Sequence, residues 1–186
     1  MAIPPLGSNG LLPLGRHTCT LDDVEETFVS AHAFAASSTR AKVFADLLAA
    51  IALLQEKFDH GLIERMWIGG TFASAKEDPS DIDVTFLLSG TVHAALSGSK
   101  RDQLAKLLRV GGFATLDLSV DGFMLVRQRV ANPWLKDGVS EDAAPYMARR
   151  GAWDDWWSRD RVHGAKGAPP LEQDADPVRG YLEVMI

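Results

Sequence analysis

A chain of 186 residues, 46% hydrophobic and 24% charged, has an ordinary globular composition with apolar material for one core. Its formal charge of −6 argues against a protein that grips nucleic acid through a broad basic face, and the lone Cys19 excludes a disulfide framework or a cysteine zinc site. The N-terminal stretch, with Pro4, Pro5 and Pro13, lacks the apolar run of a secretory signal, and no segment nears the ~18 residues that span a bilayer; a cytoplasmic protein without membrane contact is expected.

Residues 1–17 are rich in proline and glycine and read as an extended N-terminal segment draped over the rest. Thr20 then caps a helix start, with Asp22 and Asp23 in the first turn and Leu21, Val24, Phe28 and Val29 as a short apolar face. Ser37-Ser38-Thr39 reads as a second cap. It opens the clearest helix, Arg40 to about Phe58, in which Val43, Phe44, Leu47, Leu48, Ile51, Leu54 and Phe58 recur at helical spacing. Met66-Trp67-Ile68 is a short buried strand ending at Gly69-Gly70. Thr71 to Lys76 reads as a brief helix, Glu77 to Ser80 as a loop around Pro79, and Asp81 to Leu88 as a strand. Thr91 to Val110 is helical with a break near Ser97-Gly98-Ser99. Two apolar runs follow, 113–120 and 123–126, separated by Asp121-Gly122.

After Pro133 the texture changes, and residues 133–186 are expected as a C-terminal helical and extended appendage. Within it, Tyr146 to Trp157 is a helix packing through Tyr146, Trp153 and Trp157, and residues 179–186 form a final strand. The order of elements predicts a single domain over residues 1–186 of the α/β (α+β) class, a small mixed β-sheet flanked by helices.

The chemistry concentrates at Asp81-Ile82-Asp83. Side chains alternate along a strand, so the two carboxylates share a face while Ile82 and Val84 take the other, with the two aspartate Cα atoms about 6.5–7 Å apart. Two like charges at the mouth of a core repel and lose solvation. A hard divalent cation such as Mg²⁺ or Mn²⁺ relieves both effects and leaves positions for substrate phosphates. Upstream, the glycines of Gly69-Gly70-Thr71 allow backbone N–H groups to approach a phosphate, and Thr71 adds a hydroxyl. Lys76, in the intervening loop, is in reach of a phosphate or is a solvated lysine. The plainer reading of the acids is a solvated turn at Pro79-Ser80-Asp81.

A glycine pair, a ten-residue interlude and then Asp–hydrophobe–Asp–hydrophobe resembles the core motif of the polymerase-beta-type nucleotidyltransferase superfamily. GLLPLGRHTCTLDDVEETFV, SSTRAKVFADLL, GGTFASAKEDPSDIDV and DRVHGAKG together resemble one branch of small bacterial stand-alone members. The resemblance implies a mixed sheet with the glycine motif after its first core strand and the paired acids on the second. It implies a transferase in which two metal ions position a nucleoside triphosphate, a hydroxyl attacks the α-phosphate and pyrophosphate leaves. Asp81 and Asp83 would bridge the metals, with a third carboxylate on the next core strand, and Gly69, Gly70 and Thr71 would hold the triphosphate. Asp121 is preferred for the third carboxylate over Asp117. In one straight strand the two would share a face, although Asp121-Gly122 is also a strong hairpin signal. The sequence has Gly70-Thr71 where the superfamily usually has Gly-Ser.

The implied acceptor is a protein hydroxyl, a tRNA or RNA end, or a small molecule. Stand-alone members often sit in toxin–antitoxin or phage-defence pairs, which implies a protein partner. The alternative is a catalytically weak or inactive binding module of the same fold, acting as antitoxin or nucleotide sensor. A sugar transferase ranks lower, because it leaves the glycine pair unexplained. Arg161 and Lys166 match a basic pair of the branch, with a surface salt bridge as the commoner fate. Trp153, Trp156 and Trp157 suit base stacking or, more often, packing. None of the five histidines is assigned a role.

Overall fold

A computed structural model describes residues 3–134, 143–163 and 168–186. In chain order the elements are β1 (Gly15–Cys19), α1 (Leu21–Glu25), α2 (Arg40–Lys57), β2 (Ile63–Gly69), β3 (Ile82–Ser89), α3 (Gly90–Ala95), α4 (Gly98–Leu107), β4 (Val120–Arg127), α5 (Ala143–Trp157) and β5 (Gly180–Met185). The strands form one mixed sheet in the order β1-β5-β2-β3-β4. β1 runs parallel to β5 and β4 parallel to β3, whereas β2 is antiparallel to both β3 and β5. The mixed α+β class and the mixed sheet predicted from the element order are observed. No helix among the described residues is long and apolar enough to cross a membrane.

Strand alternation divides the sheet into two unlike faces. Met66, Ile68, Ile82, Val84, Phe86, Leu88, Leu182 and Val184 join the main core, where Val43, Phe44, Leu47, Ile51 and Leu54 of α2 cover them. Trp67, Leu87, Leu125 and Tyr181 form the other face, covered by Tyr146 and Trp157 of α5. Leu48, placed on the buried stripe by spacing, is instead exposed on the far side of α2. Thr20 caps α1 through a reciprocal capping box with Asp23. Ahead of α2, Ser37 rather than Thr39 supplies the cap, its Oγ accepting from the Arg40 N–H at 3.2 Å.

Tertiary contacts overrode local signals in five places. The N-terminal segment enters the sheet at Gly15 as an edge strand beside β5. The final strand is no appendage: β5 is inserted between β1 and β2. The run 113–120 is not a strand, since Phe113–Leu116 is a single 3-10 turn closed by Asp117 in the left-handed region, φ 62°. Asp121-Gly122 is not a turn either, because both lie inside β4 and pair with β3. Gly122 is small there because the Phe113 ring crosses it; a Cβ would stand 2.7 Å from a ring carbon.

The fifth is Thr71 to Lys76, which forms a turn and not a helix. Its carbonyls are claimed by a buried guanidinium. Arg40, 1% exposed, donates from Nη1 to Phe28 O (3.1 Å) and Phe72 O (2.9 Å) and from Nη2 to Ser74 O (2.7 Å) and Lys76 O (2.6 Å). It lies 3.8 Å from the ring centroid of Phe34. Burial lowers its pKa to about 10, so it stays charged at neutral pH. Arg40→Ala would strand four carbonyls at about 1–3 kcal/mol for each that cannot reach water. We expect urea denaturation to give a loss of roughly 4 kcal/mol, and Arg40→Lys, with a single point of donation, to restore less than half.

Candidate functional site

The paired acids occupy the end of the sheet next to this anchored loop. Asp83, the second residue of β3, pairs with Gly69 of β2 on one side and with Asp121 of β4 on the other. Adjacent strands lie about 4.8 Å apart, so Asp83 and Asp121 are close neighbours on one face. Asp81 stands two residues earlier, half-buried at the mouth. Burial above all, and then the charges of Asp81 and Asp121, push the Asp83 carboxyl up to about 6 against the opposing pull of Arg179. The carboxylate that β4 brings beside Asp83 is that of Asp121. Asp117 lies before β4, exposed.

The two glycines have packing reasons to be glycine. A Cβ on Gly69 would meet the Trp157 ring at 2.3 Å, and one on Gly70, at φ +62°, would come within 1.9 Å of Asp83 Oδ2. Gly70 thus permits the close approach of the loop to the carboxylate. Gly69 is fully covered and does not line the adjoining cavity.

That cavity has a volume of about 580 Å³. Gly70, Thr71, Lys76, Asp81 and Asp83 form one wall, and Trp156, Arg159, Arg161, His163, Asp174 and Arg179 belong to the segment facing it. Arg179, 3% exposed, donates from Nη2 to Gly70 O (2.9 Å) and Ala73 O (2.7 Å), bracing the loop from the side opposite Arg40. Arg159 is paired with Asp155, and Arg161 donates to Ala168 O at 2.7 Å while lying 5.9 Å from the Trp156 ring centroid. His163 Nδ1 is 2.6 Å from Asp174 Oδ1, a contact that holds the Asp174 carboxyl below its usual range. The other oxygen, Asp174 Oδ2, is buried without a partner.

The sequence-predicted residues thus divide. Asp81, Asp83, Gly70, Thr71 and Lys76 meet at one cavity. Asp121 borders Asp83 in the sheet but not the cavity, and its Oδ1 accepts the Gly111 N–H at 2.9 Å. Trp153 stacks on Trp157, with ring centroids 5.5 Å apart, and Trp157 Nε1 donates to Thr85 Oγ1 at 2.9 Å, so both serve packing. Of the three, Trp156 and the buried Trp157 line the cavity, and Trp156 is the one not held by the ring stack. Lys166 lies outside the described residues. Arg179 and the His163–Asp174 pair were not found from sequence. Arg179 sits 96 residues beyond Asp83 in the chain with no motif around it.

Three carboxylates with oxygen donors and mutual repulsion have the chemistry of a hard-cation site. Among the described residues, no three His, Cys, Asp or Glu side chains are gathered closely enough to hold a metal ion as they lie. Part of the coordination would therefore fall to a ligand's own oxygens and to water.

Residues 4–172 match the model of a family of unknown function, DUF6932, and the chain belongs to that family. No curated protein and no solved structure matches it.

The raised Asp83 carboxyl makes a signed prediction about pH. The folded state holds the proton to about pH 6 and the unfolded chain to about 3.8, so this group's contribution is present at low pH and is lost as pH rises between those values. Ionised Asp83 should cost on the order of 3 kcal/mol at pH 7.5. With chelator present, Asp83→Asn should be more stable than wild type by about that much at pH 7.5 and close to equal at pH 4. Denaturant titrations at the two pH values read it directly.

Proposed function

We propose that this protein is a divalent-metal-dependent nucleotidyltransferase, which moves a nucleoside monophosphate from an NTP to a hydroxyl acceptor. One observation carries the reading: an acidic edge, Asp81 and Asp83 with Asp121 beside them, meets a cationic wall, Arg159, Arg161 and Arg179, in one cavity. A metal–polyphosphate complex needs both signs of charge at once. The family resemblance of the glycine pair and the paired acids supports the same chemistry.

In this reading Asp81 and Asp83 hold Mg²⁺ or Mn²⁺, with Asp121 as third carboxylate. The bound metal would polarise the α-phosphate and offset charge on the leaving pyrophosphate. Lys76 and the arginine wall take the triphosphate, Gly70 lets the backbone approach it, and the Trp156 face is available to the base. The acceptor oxygen bonds to the α-phosphorus as the α–β bridging bond breaks. The hydroxyl proton passes to the carboxylate cluster. The acceptor is a hydroxyl of a protein partner, a tRNA or other RNA end, or a small molecule, and the setting is a cytoplasmic toxin–antitoxin or phage-defence pair.

A second reading is a nucleotide-binding module with weak or no transfer, acting as antitoxin or sensor. It is favoured by the Gly111 N–H already bound to Asp121 and by the absence of Asp121 from the cavity wall.

Calorimetry with each NTP and Mg²⁺ or Mn²⁺ tests both. Wild type should show an NTP-binding component that appears only with metal, and Asp81→Ala/Asp83→Ala should weaken that component at least tenfold. Asp121→Ala should retain binding and lose label transfer to the acceptor. Binding by wild type without transfer to protein, RNA or small-molecule acceptors would favour the module. Failure to bind any NTP with either metal would overturn both readings.

A further inference from the structure

A second concavity of about 590 Å³ opens on the same face of the sheet, at the other end of α5. Arg150 in it and Trp156 in the first cavity are six residues apart on α5, about 9 Å along the helix axis. Leu87 in it and Asp83 in the first are four residues apart on β3, about 13 Å along the strand. The two spaces are therefore separate.

Five arginines from distant parts of the chain converge there: Arg16, Arg65, Arg127, Arg129 and Arg150. Two are oriented by the buried Glu183, whose carboxylate is 3.3 Å from Arg65 and 3.9 Å from Arg16. Arg127 is paired with Glu64 at 2.5 Å. Among the described residues, neither the Arg129 nor the Arg150 side chain makes an ion pair or hydrogen bond. Among the described residues, five guanidiniums against two carboxylates leave an excess of three positive charges in one concave space. On a chain whose net charge is −6, that concentration is not the average surface. Solvated arginines on an acidic protein would repel one another least if spread out. Here the fold brings them together and spends Glu183 and Glu64 on aiming three of them.

We propose that this groove binds a compact polyphosphorylated small molecule, with Arg129 and Arg150 making the new charge-assisted contacts. Guanidinium forks match phosphate oxygens in pairs, and the volume suits a ligand of nucleotide size. An extended nucleic acid fits less well, because the positive charge is gathered at one concavity on an otherwise acidic chain. The inference does not rest on the transferase reading.

Tripolyphosphate is the probe, titrated by calorimetry in chelator so that metal-dependent binding at the first cavity is silent. One site is expected on wild type, weakened at least tenfold by Arg129→Ala/Arg150→Ala and by raising salt from about 50 to 300 mM. Lys76→Ala/Arg161→Ala, in the first cavity, should leave it within twofold. The reverse pattern, or no binding at all, overturns the proposal. A short single-stranded RNA that binds through Arg129 and Arg150 more tightly than tripolyphosphate overturns the compact ligand in favour of a nucleic-acid surface.

Discussion

The site end of this molecule depends on one buried cation. Arg40 opens α2, yet its guanidinium reaches across to four carbonyls, three of them in the Phe72–Lys76 turn. Taking a guanidinium out of water is costly, and the cost is met only because four oxygens and the rings of Phe28, Phe34 and Phe72 surround it. Without that anchor the turn between β2 and β3 has little to define it, since it has no ladder beyond a single bridge from Leu11 to Ser74. Arg179 grips the same turn from the other side through Gly70 and Ala73. Two arginines, 139 residues apart in the chain, fix where Gly70 meets Asp83.

The two faces of the sheet have been given different work. The α2 face is almost wholly aliphatic and aromatic, and its burial supplies the bulk of the driving force. The α5 face mixes large aromatics with buried polar groups, each satisfied by a specific partner: Thr85 by Trp157, and Glu183 by Trp67 Nε1 at 3.1 Å. Asp83 and Asp121 belong to this second face by strand parity. Polar chemistry is therefore confined to the side where α5 can be trimmed back to leave openings at its two ends.

What was legible in the sequence was local. The strand after Asp81 could be read because apolar alternation and burial coincide there. α2 could be read because its stripe is long enough to outweigh one misassigned leucine. Asp121 was harder, because Asp-Gly carries an intrinsic turn preference that only pairing with β3 reveals as overruled. The 71–76 turn misled for the same kind of reason: Phe-Ala-Ser-Ala-Lys has acceptable helix propensity, and the carbonyls that a helix would use are instead bound by Arg40. The glycine pair has a packing reason that sequence did not offer, since Trp157 and Asp83 leave no room for side chains there. Arg179 and the place of β5 were out of reach, because each depends on contacts more than 90 residues apart in the chain.

The acidic cluster, finally, is left electrically unfinished. Arg179 is the nearest compensating charge for Asp83, yet its Nη2 is committed to two carbonyls and its Nη1 lies 3.9 Å from Asp160. Its charge is shared between two acids, and Asp83 remains raised. A purely structural cluster could be relieved at no loss of packing by one amide in place of one carboxylate. Asp81 and Asp83 at the edge of the cavity, with Asp121 beside Asp83 in the sheet, retain an unspent attraction for a cation, and the arginines facing them retain one for an anion. The two demands are opposite in sign, border the same space, and are met together by a ligand that brings both charges with it.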